Sequence, residues 1–229
     1  MSAEPVVLLH GLCAAKQVWR AQVEHLAKSR RVIAYDQLGH GEAPRAPRYT
    51  IEILAEDLAR KTEPLGRFWL AGHSMAGAVV SAFAARHPER LAGIVYVDAV
   101  GDMTGAPPEM RAWFLDNAGM DLPRMRVLFD QMLGPLAKPQ TRAEILAGLE
   151  RCDIQAFVQL RESLLAQPKP RPFDGPLVAI EAAGPDNPFL ASHLPGARRL
   201  ELTNVSHWLM LDDPQAVNAA LDEALAWTK

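Results

Sequence analysis

Cysteine is scarce in this sequence, long apolar runs are missing, and neither sign of charge predominates. Only Cys13 and Cys152 occur among 229 residues. They lie far apart in sequence and neither belongs to a C-x-x-C pair, which argues against a disulfide framework and against a zinc site. The expectation is two free buried thiols, with Cys13 open to thiol reagents because it sits in the loop after "LLHG". No apolar run approaches the roughly eighteen residues of a bilayer span, so no membrane span is expected. Twenty-four Lys and Arg face 27 Asp and Glu, a net charge of −3. No basic stripe is present to grip nucleic acid. The start, "MSAEPVVLLHG", lacks the basic end and long apolar stretch of a secretory signal. The expectation is a soluble, cytoplasmic protein, monomer or homodimer.

What is present is a large apolar content, 49% of residues, enough to bury a substantial core. It is arranged in short runs. "PVVLLHG" (5–11), "RVIAYD" (31–36), "FWLAGHS" (68–74) and "GIVYVDA" (93–99) are apolar almost throughout. Such runs fit strands buried on both faces, as in a parallel sheet. Between them lie helical patterns. Ile51, Leu54, Ala55 and Leu58 fall on one helical face after Thr50, a candidate N-cap. The segment after Ser74 is small and apolar on most sides, and Pro88 limits it. From 100 to about 167 only helical patterns occur, four of them, followed by the stiff, proline-rich "PKPRPFDGP". Strands return at "LVAIEAA" (177–183) and "ARRLELT" (197–203). A last helix opens with Asp213 as cap and Pro214 at its first position. These patterns predict a doubly wound α/β fold: a mostly parallel sheet of about six strands, with helices inserted between the fourth and fifth.

Three stretches carry chemistry. In Gly72-His73-Ser74-Met75-Ala76-Gly77, a serine stands at a strand-to-helix junction between small residues. A hydroxyl on such a turn is exposed above the sheet, and the N–H of Met75 would face a developing oxyanion. A serine that merely caps a helix is the bland alternative. After the first strand, His10-Gly11 permits a tight turn that would offer the N–H of Leu12 as a second oxyanion donor. His10 itself reads as a loop histidine bonded to backbone. After the last strand, "TNVSHWLMLDDP" places His207 at the same C-terminal sheet edge, where open α/β sheets keep their sites. Histidine is the side chain whose proton affinity suits a base near neutrality. Among seven histidines, only His207 combines that edge position with the needed chain order.

The stretches "VVLLHG", "VIAYDQLGHGEA", "LAGHSMAG", "GIVYVDA" and "SHWLMLDDP", in this order, resemble the landmarks of the α/β-hydrolase superfamily. The resemblance covers residues 5–99 and 177–227. It implies a core of residues 1–99 and 173–229, with 100–172 as a helical cap that folds as one unit with it. The family's N-terminal hairpin is then reduced or absent. The resemblance also implies a Ser-acid-His chain order. The acid should follow the strand "LVAIEAA", where Asp186 is the only carboxylate of "GPDNPF". In the family a proline often follows this acid; here Asn187 does. Some relatives place the acid after the preceding strand, which makes Asp98 the runner-up, although it reads first as a strand-end or cap residue. Asp36 resembles a turn-bracing aspartate. The nearby "GHG" opens no glycine-rich helix, so it is no dinucleotide fingerprint, and neither cofactor nor metal is expected.

Five of the eight methionines lie between Met103 and Met132, beside Trp113, Phe114 and Phe129. Most belong to the cap's own core. With Trp208 and Met210, a minority would line an adaptable apolar pocket. The cap arginines read mostly as a solvated face, with room for one to bind a substrate carboxylate. The implied activity is hydrolysis of a small to medium carboxylic ester or thioester through Ser74, His207 and Asp186. Fold does not fix reaction in this superfamily. Rival readings are a lyase that uses the triad for acid-base chemistry (eliminating cyanide or pyruvate), a C–C bond hydrolase, haloperoxidase-like perhydrolysis, and a non-catalytic binding protein. If Ala76 lies inside the first helical turn, its φ is negative and the turn tolerates its methyl.

Overall fold

A computed structural model describes residues 3–227. Six strands form one sheet: β1 (Val6–Leu9), β2 (Val32–Tyr35), β3 (Phe68–His73), β4 (Leu91–Val97), β5 (Leu177–Ala182) and β6 (Arg198–Leu202). Their order is β2-β1-β3-β4-β5-β6, and every neighbouring pair is parallel. The chain first moves outward from β1 to β2, then returns to the other side of β1 with β3. The switch point therefore lies between β1 and β3, where a crevice opens at the strands' C-terminal ends.

The apolar runs explain the two-sided burial. Along β1, Val7 and Leu9 join one buried cluster and Val6 and Leu8 the other. Alternate side chains point to opposite faces, so a run with no polar position needs cover on both sides. On the first face the cover is α2 (Ile51–Lys61) and α3 (Ala76–Ala84); on the second it is α1 (Arg20–Leu26) with the short α8 (Leu209–Asp212) and α9 (Pro214–Ala226). The helix starts follow the expected chemistry. Thr50 Oγ1 accepts from Ile53 N–H at 3.2 Å, and Asp213 Oδ1 from Ala216 N–H at 3.0 Å.

Between β4 and β5 stand α4 (Pro108–Leu115), α5 (Leu122–Leu133), α6 (Pro139–Gly148) and α7 (Ile154–Leu165). Proline occupies the first turn of α4, α5 and α6, and Asp121 and Asp153 cap α5 and α7 with their side chains. These start signals divide one long helical pattern into four. The insertion is continuous with the rest of the interior. Met125, Phe129, Ile145 and Phe157 share a buried cluster with Leu8, Trp19 and Trp208. Ala156, Leu160 and Leu164 of α7 join the other cluster, with Tyr49 and Leu54. One arginine of the insertion lies off the solvated face that most of them share. Arg161 is buried, hydrogen bonded to Asn117 Oδ1 at 2.8 Å and stacked over Trp113, Phe114 and Phe157. Among the described residues no helix is long and apolar enough to cross a membrane.

Candidate active site

Ser74 follows the last residue of β3 and takes φ 54°, a left-handed conformation that costs a non-glycine residue roughly 1–3 kcal/mol. The surroundings hold it there. Its N–H donates to Val97 O at 3.2 Å, and its carbonyl accepts from Gly77 N–H at 2.9 Å and Val100 N–H at 3.2 Å. Its small neighbours are required by close approach. A Cβ on Gly72 would lie 2.9 Å from Ala76 O, and one on Gly77 would lie 2.4 Å from Val100 O. Ala76 itself is the first residue of α3 and is not among the residues with positive φ. Its methyl is accommodated because the turn's left-handed residue is Ser74, two positions earlier.

Three sheet-edge loops converge on Ser74. His207, after β6, places Nε2 2.8 Å from Ser74 Oγ. Its Nδ1 lies 2.5 Å from Oδ2 of Asp98, the residue that follows β4. The other oxygen of Asp98 accepts from Ala182 N–H at 3.0 Å, and its own N–H donates to Ile180 O at 2.7 Å. Burial opposes ionisation of Asp98. The hydrogen bond from His207, the imidazole's positive character and the Ala182 N–H outweigh it and hold the carboxyl below its ordinary range.

The expected acid, Asp186, lies elsewhere. Its carboxylate is exposed and meets His193 Nε2 at 3.0 Å. No contact joins it to His207 among the described residues, because the position beside Nδ1 is filled by Asp98. Asp98 does end a strand, as its plainer reading held, yet its φ of 43° turns the side chain to the imidazole. That left-handed turn is a tertiary feature with no sequence signature.

The loop after β1 borders the same point. A Cβ on Gly11 would lie 2.8 Å from His73 Nδ1 and 2.9 Å from Ser74 Cβ, so only glycine lets the chain pass. The N–H groups of Leu12 and Met75 have no acceptor among the hydrogen bonds of the described residues. His10 braces this loop as expected. Its Nδ1 pairs with Gly11 O at 2.8 Å and its Nε2 accepts from Gln37 N–H at 3.1 Å. Burial, together with nearby His40, pushes His10 down to about 3. His73 is buried beneath Ser74 and His207 and donates from Nε2 to His207 O at 2.8 Å. Burial and the His207 ring push it down to about 3, so it supports the loop as a neutral ring. Asp36 braces its turn through the N–H groups of Lys16 and Glu42, at 2.6 and 3.0 Å.

One positioning residue escaped the sequence reading. Asp212 is buried and accepts from Ser206 N–H (2.7 Å), Ser206 Oγ (2.5 Å), Thr141 Oγ1 (2.7 Å) and Lys138 N–H (3.0 Å). It ties the residue before His207 to the start of α6. Only its place beside the capping Asp213 hinted at an inward role. Of the apolar candidates, Trp208 packs edge-on to His207 with centroids 5.0 Å apart, and Phe129 meets Trp208 at 6.1 Å. Trp113 and Phe114 lie farther along α4 against Arg161, and Trp113 is 43% exposed.

The two cysteines are free and buried, as expected. Cys13 is not exposed, although its place in the loop after the first strand suggests exposure, and its sulfur lies 2.8 Å from that of Cys152. With His40 they form the cluster whose donor atoms all fall within 4.8 Å of one another.

The profile of the alpha/beta hydrolase fold matches residues 4–144. The sn-1-specific diacylglycerol lipase ABHD11 of Danio rerio is 25% identical over 92% of this chain and 74% of its own. The pimeloyl-[acyl-carrier protein] methyl ester esterase of Sodalis glossinidius is 33% identical over 62% of this chain and 63% of its own. Among solved structures, the enol-lactonase of Burkholderia xenovorans LB400 superposes with a TM-score of 0.83 at 24% identity, covering 99% of this chain and 93% of that one. With the profile spanning more than half of its residues, and with the sheet and elbow the name implies, the chain belongs to the alpha/beta hydrolase fold family.

Proposed function

We propose that this chain is a serine hydrolase of small to medium carboxylic esters or thioesters, working through Ser74, His207 and Asp98. The hydrogen-bonded line from Ser74 Oγ through the imidazole to Asp98, at 2.8 and 2.5 Å, carries the reading. His207 Nε2 takes the hydroxyl proton as Ser74 Oγ attacks the ester carbonyl. Asp98 accepts from Nδ1–H, which fixes the tautomer with a bare Nε2 and stabilises the imidazolium. The N–H groups of Leu12 and Met75 donate to the oxyanion. The protonated imidazole then gives its proton to the leaving alkoxide or thiolate. Water, deprotonated by the same nitrogen, releases the acid and frees Ser74.

Residues 100–172 act as a cap over this edge, with Phe129 and Trp208 on the apolar side of the substrate space. The relatives named as lipase and methyl ester esterase act on ester bonds by their names, which supports the same bond class here. A panel of p-nitrophenyl esters of rising chain length tests the proposal. The expected result is a burst of nitrophenol, covalent labelling of Ser74 by a phosphonate, and loss of both in Ser74→Ala. Turnover without an acyl-enzyme would instead indicate a lyase that uses the same three residues for proton transfer.

A further inference from the structure

We propose that Cys13 and Cys152 are a reversible dithiol–disulfide pair, served by His40 as base, that fastens the helical insertion to the loop carrying Leu12. The two sulfurs are 2.8 Å apart although 139 positions separate them in sequence. Cys13 directly follows Leu12, and Cys152 precedes Asp153, the cap of α7. One covalent bond would therefore join the edge of the active site to the insertion.

His40 supplies the independent observation. It is buried, and its Nδ1 donates to Leu38 O at 3.0 Å, so the second nitrogen carries the lone pair. That Nε2 has no hydrogen-bond partner, and the ring offers a nitrogen within 4.8 Å of both sulfurs. A buried polar atom without a partner is costly, and here it faces an acidic proton it can accept. The hydrogen bond from Cys13 and the adjacent imidazole pull the Cys152 thiol down to about 6, whereas burial pushes Cys13 up. Cys152 is thus the attacking sulfur and Cys13 the resolving one. A shared metal fits less well. Two thiolates on one tetrahedral zinc stand about 3.8 Å apart, and these sulfurs are closer.

The oxidant is hydrogen peroxide. His40 takes the Cys152 proton, and the thiolate attacks one peroxide oxygen. The O–O bond breaks, Cys152 becomes a sulfenic acid, and the leaving hydroxide takes the proton from His40 to depart as water. Cys13 then attacks the sulfenic sulfur. The S–S bond forms, the S–O bond breaks, and hydroxide leaves as water with the Cys13 proton. Two thiols lose two electrons, and one peroxide becomes two waters.

The test treats reduced protein with dilute hydrogen peroxide, then denatures it, alkylates it with iodoacetamide and reads masses. The expected product is lighter by two hydrogens, takes no alkyl groups, and yields a linked Cys13–Cys152 peptide that reductant separates. Its Tm should rise by several degrees over the reduced form, as expected for a bond closing a long loop. Cys13→Ser and Cys152→Ser, made separately, should show no such rise. Ser74→Ala should oxidise like wild type, so this result does not depend on ester hydrolysis. Two thiols still open to alkylation after peroxide would overturn the proposal. So would disulfides between copies, or one zinc per chain that blocks oxidation.

Discussion

Asp98 and Ser74 share an unusual backbone sign, φ 43° and 54°, at the ends of adjacent strands. Each turn aims a polar side chain at His207 from a different side. A residue-scale prediction follows for the choice of acid. Asp98→Asn should lower kcat roughly 10³–10⁴-fold by favouring the wrong tautomer, whereas Asp186→Asn should remain within about twofold of wild type, since an exposed pair contributes little. Steady-state kinetics on one p-nitrophenyl ester decides between them, and equal losses would refute the assignment. Asp212 makes a second case. Asp212→Ala leaves buried donors on Ser206, Thr141 and Lys138 unpaired, which should cost at least about 3 kcal/mol by denaturant titration. A loss in kcat with little change in KM would mark a positioning role for the His207 loop; unchanged kcat would make it purely structural. Ser74 and His207 were legible because their stretches match a known arrangement of turn chemistry. Asp98 was not, because a strand-end aspartate looks the same whether or not its φ is positive.

The elbow between β3 and α3 sets the limits at the scale of elements. Close approach there is demanded of Gly72 and Gly77, while Ala76 is simply helical. Ala76→Gly should therefore leave activity unchanged and cost about 0.5–1 kcal/mol of stability through backbone entropy. Thermal unfolding checks this, and a gain in activity would mean the turn is strained at 76. Gly11→Ala should act in the opposite way. Its added methyl meets His73 Nδ1 at 2.8 Å and Ser74 Cβ at 2.9 Å, so the Leu12 loop must retreat. A displacement of about 1 Å is worth roughly 100-fold in kcat/KM, and a modest change in Tm would separate this from unfolding. The insertion was legible as four helices because prolines and aspartates punctuate it. Its attachment was not, because the Asp212 network and the Cys13–Cys152 contact join residues more than seventy positions apart.

For the whole molecule, the buried histidines govern acid stability. His10 and His73 are both depressed to about 3, against an ordinary value of 6.5. The unfolded chain binds protons that the native state refuses, so stability is full above about pH 6.5 and is lost as pH falls toward 3. Two such groups remove on the order of 2–3 kcal/mol per pH unit in that window. His40, held above its ordinary value mainly by the Cys152 sulfur against the effect of burial, works in the other direction. Chemical denaturation from pH 7 to 4 should show a midpoint that falls steadily with uptake of one to two protons. A flat profile would mean that both rings are charged in the native state, and a slope half as steep that one of them is. The sequence by itself determined the layered architecture, since unbroken apolar strands need helices on both faces, and it placed Ser74 and His207 at one sheet edge, because their turns are local. Only the tertiary structure decided which carboxylate meets the imidazole, where the insertion is tied, and that two distant thiols touch. Those outcomes depend on contacts across the sheet edge, and no local pattern encodes which of several polar side chains will face one another there.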